Sequence, residues 1–187
     1  MKKNSILLTL AIVFTALFLV WSGVRIVKAV RFDLDCAAYL KRAAAANTVE
    51  MARKELANAI DYAESNGLTE GTVSVFLKNP GNDIGFWYQN MKNGYAELGS
   101  LPDDATSLEK TNVLMKLRES IIGVDDSGGT KVIFPDGIEI YPNNVLYFWW
   151  AMLSGVAAFA LWFPYFIVVI RKTQEYNRYQ LKKGLNL

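Results

Sequence analysis

Few residues in this chain are equipped for chemistry, and most of those are carboxylates. Asp103-Asp104 and Asp125-Asp126 are adjacent acids in polar, turn-forming stretches. Two carboxylates held together can divide acid and base work between them. The second pair runs into Ser127-Gly128-Gly129, and its carboxylate and backbone oxygens suit a weak calcium site. It lacks the spacing of a dedicated calcium loop, and a solvated turn is the commoner use of such a stretch. Cys36 is the single cysteine, so neither an internal disulfide nor a thiolate zinc cluster can form. After Leu34-Asp35 it is a poor candidate for lipidation and reads as a small, half-buried residue on a helix. Histidine is absent, which removes the commonest general base and metal ligand. No Walker loop, dinucleotide fingerprint, zinc spacing or nucleophile elbow occurs. These residue types predict no enzyme, no catalytic residues, no cofactor and no metal.

The elements that would position any site are governed by two uncharged runs. Residues Ile6 to Val24 and Val145 to Ile170 contain no Asp, Glu, Lys or Arg. Each reaches the roughly 20 residues needed to cross a hydrocarbon core of about 30 Å. Hydrophobic residues make up 52% of the chain and charged ones 20%, so the apolar excess is concentrated in these runs. They predict a two-pass membrane protein. A cleaved leader is the rival reading for the first run, since Lys2 and Lys3 precede it and Val27-Lys28-Ala29 follows. Arg25 and Lys28 stand where a leader is normally uncharged, which favours an uncleaved anchor.

Charge asymmetry predicts orientation. After the second run come Arg171, Lys172, Arg178, Lys182 and Lys183 against the single acid Glu175. Before it, from Asp126 to Asn144, Lys131 faces Asp126, Asp136 and Glu139. The positive-inside bias puts the tail in the cytoplasm, and with it the N-terminus. The expected layout is a cytoplasmic stretch 1–5, a first span 6–24, an extracytoplasmic domain 25–144, a second span 145–170 and a basic cytoplasmic tail 171–187. A bacterial inner membrane is the expected location. Between Arg31 and Asn144 there are 11 basic residues against 17 acids, a net −6. An acidic domain argues against nucleic-acid binding, which needs a basic face. The basic tail is suited to lipid headgroups.

Within the domain, no Gly or Pro interrupts the stretch between Gly23 and Gly67. Leu40, Val49, Ala52, Leu56, Ile60 and Ala63 recur mostly at three- and four-residue steps, the mark of one apolar helix face. One helix from about Leu34 to Glu64 is expected, roughly 45 Å long at 1.5 Å per residue, with Gly67 just past its end. Thr72–Leu77 alternates like a strand. Asn82 or Asp83 caps the next helix, which carries Ile84, Trp87, Met91, Tyr95 and Leu98 as a core stripe and is weakened locally by Asn93-Gly94. Thr106 or Ser107 starts another, with Leu108, Leu114, Leu117 and Ile121 as its inner face. Val132-Ile133-Phe134, Pro135-Asp136-Gly137 and Ile138–Tyr141 form a hairpin signal. Thr72–Leu77 is expected to join it in a three-stranded sheet.

The fold class predicted is therefore a membrane protein of α+β type, with two transmembrane helices flanking a mainly helical exposed domain that holds a small antiparallel sheet. Asn143 or Asn144 caps the second span. Trp149 and Trp150 near one end, and Arg171 and Lys172 at the other, are the expected membrane-interface residues. Ala151 with Gly155, and Ser154 with Ala158, are small residues four apart, a pattern that lets another helix approach closely. Pro164 is expected to kink the helix. The expected function is that of a non-catalytic accessory or scaffold subunit, in contact with membrane lipid and with a protein partner or a second copy of itself. The alternative is a ligand-sensing domain that signals through a partner protein. Beyond topology, nothing ties the chain to a known family.

Overall fold

The computed structural model describes residues 2–124 and 128–184. It is mostly helical, with one small two-stranded antiparallel sheet among the described residues. The chain divides into two compact units, one made of Met1–Val24 with Leu146–Leu187, the other of Arg25–Val145.

The first unit contains the apolar parts of α1 (Lys2–Phe32) and α6 (Asn144–Gly184). Both helices are long and apolar enough to cross a membrane, and only 6% of the most apolar stretch of each is buried. Pro164 lies inside α6, which continues past it. Its missing N–H leaves the Ala160 carbonyl without its usual helical donor.

The second unit is a helical domain. From Phe32 the chain passes through one π-helical turn, Asp33–Ala37, into α2 (Ala38–Ala44). The expected straight helix from Leu34 to Glu64 does not form. The chain turns at residues 45–48, and α3 (Val49–Ser65) packs back on α2. Thr48 supplies the local signal: its hydroxyl accepts the Met51 N–H at 3.2 Å and caps α3. Burial supplies the reason. A straight helix would leave the Val49–Ala63 stripe in water, whereas the fold-back buries Ala52, Leu56, Ala59, Ile60 and Ala63. Burying a large apolar side chain is worth about 1.5–3 kcal/mol, far more than the propensity of a few alanines. Gly67, at φ +68°, takes the left-handed position after α3, and the Leu68 N–H closes on the Ala63 carbonyl at 2.8 Å.

α4 (Ile84–Gly99) starts on the Asp83 carboxylate, which accepts the Phe86 N–H at 3.0 Å. Ile84, Trp87, Met91 and Leu98 are buried along it, and Tyr95 is half-buried. The helix runs through Asn93-Gly94 because Gly94 is a packing residue: a Cβ there would come within 2.9 Å of Leu117 Cδ1. α5 (Ser107–Ile121) begins with a reciprocal cap between Thr106 and Glu109. Leu117 and Ile121 face the core, but Leu108 is exposed. At the centre, the Phe32 ring meets Phe134 edge-on at 5.0 Å and Tyr62 at 6.0 Å.

The sheet differs from the expected one. β1 (Ile122–Val124) pairs with β2 (Thr130–Val132), in register Ile122 with Val132 and Val124 with Thr130. The hairpin therefore closes one turn earlier than the Pro135-Asp136-Gly137 signal implied. Ile138–Ile140 is a 3-10 turn, entered through Gly137 at φ +87°. Ile138 and Ile140 are both buried, and Glu139 between them pairs with Arg25 at 2.8 Å. The alternation thus marked which side chains face inward, but not the backbone conformation. Thr72–Leu77 joins no sheet. Thr72 makes one isolated bridge to Asp83, Val73 is buried, and Phe76 and Leu77 are exposed. The Tyr141-Pro142 bond is cis.

Candidate functional site

In the first unit, α6 meets α1 at Gly155. Ser154 is 3% exposed, and its hydroxyl donates back to the Trp150 carbonyl at 2.6 Å. Gly155 lies against the Phe18 ring, which a Cβ would approach to 3.3 Å. Ala151 and Ala158 are half-buried. On α1, Ala11 is buried. Two hydrogen bonds that sequence reasoning missed tie the helices together. The Trp162 indole donates to Thr15 Oγ1 at 3.0 Å, and the Trp21 indole donates to the Tyr147 carbonyl at 2.9 Å. The signal for both was available: an indole N–H in an apolar run needs an acceptor. Trp149 is half exposed, Trp150 packs near Tyr147 at 6.1 Å, and Arg171 and Lys172 are exposed farther along α6. The large apolar side chains on the other faces are open, with Leu19 64%, Leu153 65% and Phe159 73% exposed.

In the second unit, the residues first considered for chemistry are described only in part. Asp125, Asp126 and Ser127 lie outside the described residues. Asp103 lines a groove of about 500 Å³ with Glu50, Arg53, Lys54 and Lys110. The Arg53 guanidinium stacks 4.7 Å above the Tyr95 ring there. Asp104 is exposed. Among the described residues, no three His, Cys, Asp or Glu side chains gather in a way that would hold a metal ion. Cys36, expected to be half-buried, has no exposed surface and packs its sulfur against the Ala59 carbonyl. Burial pushes its thiol up to about 12, so it is a poor nucleophile while the domain is closed.

A charged pair joins α2 to α3. Arg42 Nη2 donates to Glu55 Oε1 at 2.6 Å, and Glu55 is buried while Arg42 is mostly exposed. Glu55 Oε2 has no hydrogen-bond partner among the described residues. On the surface, Tyr88 and Lys92 both donate to the Glu64 carboxylate, which holds it below the usual carboxylate range.

A cleft of about 1060 Å³ has Lys41, Arg118 and Lys131 on its walls and Phe134 and Val132 among its apolar lining. Beside it lies a mainly apolar slot of about 260 Å³, lined by Leu40, Trp87, Met91 and Ile121. The two share Gly81, Ile133 and Phe134. The three cations come from α2, α5 and β2, so no sequence window contains them together. Comparison with protein-family models, with curated proteins and with solved structures returned no match.

Proposed function

We propose that this is a two-pass membrane protein with a non-catalytic exposed domain, acting as an accessory or scaffold subunit of a membrane complex. The observation that carries this reading is the open apolar surface of the helix pair. α1 and α6 meet at Gly155, against the Phe18 ring, and through two indole hydrogen bonds, yet Leu19, Leu153 and Phe159 stay exposed. Contiguous apolar surface of that kind marks a membrane or a partner. Spacing supports the membrane: Trp150 and Arg171 stand about 32 Å apart along α6 at 1.5 Å per residue, close to a hydrocarbon core of about 30 Å. The basic residues after Ile170 favour a cytoplasmic tail and an outward domain, in a bacterial inner membrane. Phe76, Leu77 and Phe86, all exposed on the domain, are the side chains proposed to meet a protein partner. A second reading, a ligand-sensing domain that signals through another protein, is favoured by the cation-walled cleft.

Alkaline carbonate extraction followed by mild-detergent purification of the tagged chain tests the main reading. The expected result is retention in the membrane pellet and a co-purifying protein, or a second copy, that is lost on Phe76→Ser with Leu77→Ser. Release by carbonate would end the membrane reading. A clean monomer at native expression would end the subunit reading.

A further inference from the structure

We infer that the cleft and slot of the Arg25–Val145 domain form one binding site for an amphipathic anion, an acidic head on a short apolar chain. This deepens the ligand-sensing reading by naming a ligand class, and it does not depend on the subunit reading.

Three observations converge. The domain is acidic overall, but Lys41, Arg118 and Lys131 line one cleft, with Asp33 and Asp136 as its only carboxylates among the described residues. None of the three cations forms an ion pair among the described residues, while Arg25, Arg42, Lys92 and Lys116 do. Three cations on the walls of one cleft attract an anion more strongly than scattered surface lysines do. The cleft shares Gly81, Ile133 and Phe134 with a slot lined by Leu40, Trp87, Met91 and Ile121, where Asp83 is the one carboxylate among the described residues. The Trp87 indole N–H is already used, donating to the Ile133 carbonyl at 3.1 Å, so its ring offers the slot only apolar surface. An apolar recess with a few convergent polar groups at its mouth is the usual form of a small-molecule site. A simple inorganic anion would leave the recess unused, and an uncharged chain would leave the cations unused.

The test uses the full chain in phosphatidylcholine nanodiscs. Sodium octanoate is titrated by calorimetry, with 1-octanol as the uncharged control and empty discs as the partition baseline. Saturable binding of octanoate above the baseline is expected, with octanol bound at least tenfold more weakly. Arg118→Gln and Lys131→Gln should each weaken octanoate roughly tenfold, the loss of one charge-assisted contact. Both side chains are exposed, and burial of Cys36 confirms that each variant is folded. Absence of saturable binding overturns the inference. So does octanoate binding that is unchanged in both variants, or octanol binding equal to octanoate. A second arm repeats the titration in discs containing phosphatidylglycerol. Competition by that lipid identifies the bilayer as the source of the anion, and its absence identifies a free carboxylate; either result supports the site. Failure here leaves the carbonate and co-purification results untouched.

Discussion

Removing Arg42 should open the interface between α2 and α3, and Cys36 should report it. Arg42 holds Glu55 Oε1 at 2.6 Å, Glu55 is 9% exposed, and its other oxygen is unpartnered among the described residues. Breaking a fully buried pair by removing one partner costs about 3–5 kcal/mol. A fully exposed pair is worth about 0–1 kcal/mol. Here the anion is buried but the guanidinium is 65% exposed, so Arg42→Ala should cost about 1–2 kcal/mol. Replacing both residues, Arg42→Ala with Glu55→Leu, should cost less than Arg42→Ala alone, because no charge is then stranded. Alkylation of Cys36 in native buffer is the assay. The sulfur is fully buried, and its thiol is pushed up to about 12. At pH 8 the buried thiol stays protonated, whereas roughly one free cysteine in four is ionised. Reaction therefore requires opening. A loss of 1–2 kcal/mol should raise the alkylation rate about 5–30-fold. A wild-type rate like that of a free thiol would refute the burial. A double variant less stable than Arg42→Ala would refute the stranded-charge account.

Three further outcomes follow from local geometry. Gly71→Ala should destabilise by about 2–3 kcal/mol, because Gly71 sits at φ +97° and a Cβ would overlap the Tyr141 hydroxyl; thermal melts check this, and Tyr141→Ala should recover only the steric part. Thr106→Ala should cost about 1 kcal/mol and speed hydrogen exchange in the first turn of α5, whereas Thr106→Ser should leave exchange near the wild-type rate. Tyr88→Phe should let the Glu64 carboxyl rise toward its ordinary value, since the Tyr88 hydroxyl is the main cause of its lowering, with Lys92 second. A lowered folded value stabilises above the unfolded carboxylate's value and is lost as pH falls through the folded one. The variant should therefore flatten the acid limb of the stability curve, and an unchanged limb would refute the assignment.

How much was legible depended on how far a signal reaches along the chain. The two apolar runs and the Gly67 stop are contiguous signals and appear where the sequence puts them, and the caps fall on Asp83 and Thr106, one of the two neighbouring candidates in each case. Many inward-facing side chains were also legible, as Ile138 and Ile140 illustrate, although Leu108 is exposed. Their backbone was not, because a strand and a 3-10 turn can bury the same two isoleucines, and the choice between them depends on partners elsewhere. Val132 pairs with Ile122 across an earlier turn, and Ile138–Ile140 forms a 3-10 turn in place of the expected second strand. The fold-back at residues 45–48 was missed for a related reason: helix propensity is counted residue by residue, while burial of the α3 stripe is gained only once α2 lies against it.

The sequence by itself therefore determined the two long apolar helices, the acidic segment between them and the helix caps, because hydropathy and capping are local properties of the chain. The tertiary structure alone decided that Cys36 is sealed, that Glu55 depends on Arg42, and that Lys41, Arg118 and Lys131 share one cleft. Those outcomes required residues far apart in sequence to be brought together, and the force that does so is burial of apolar surface summed over the whole domain.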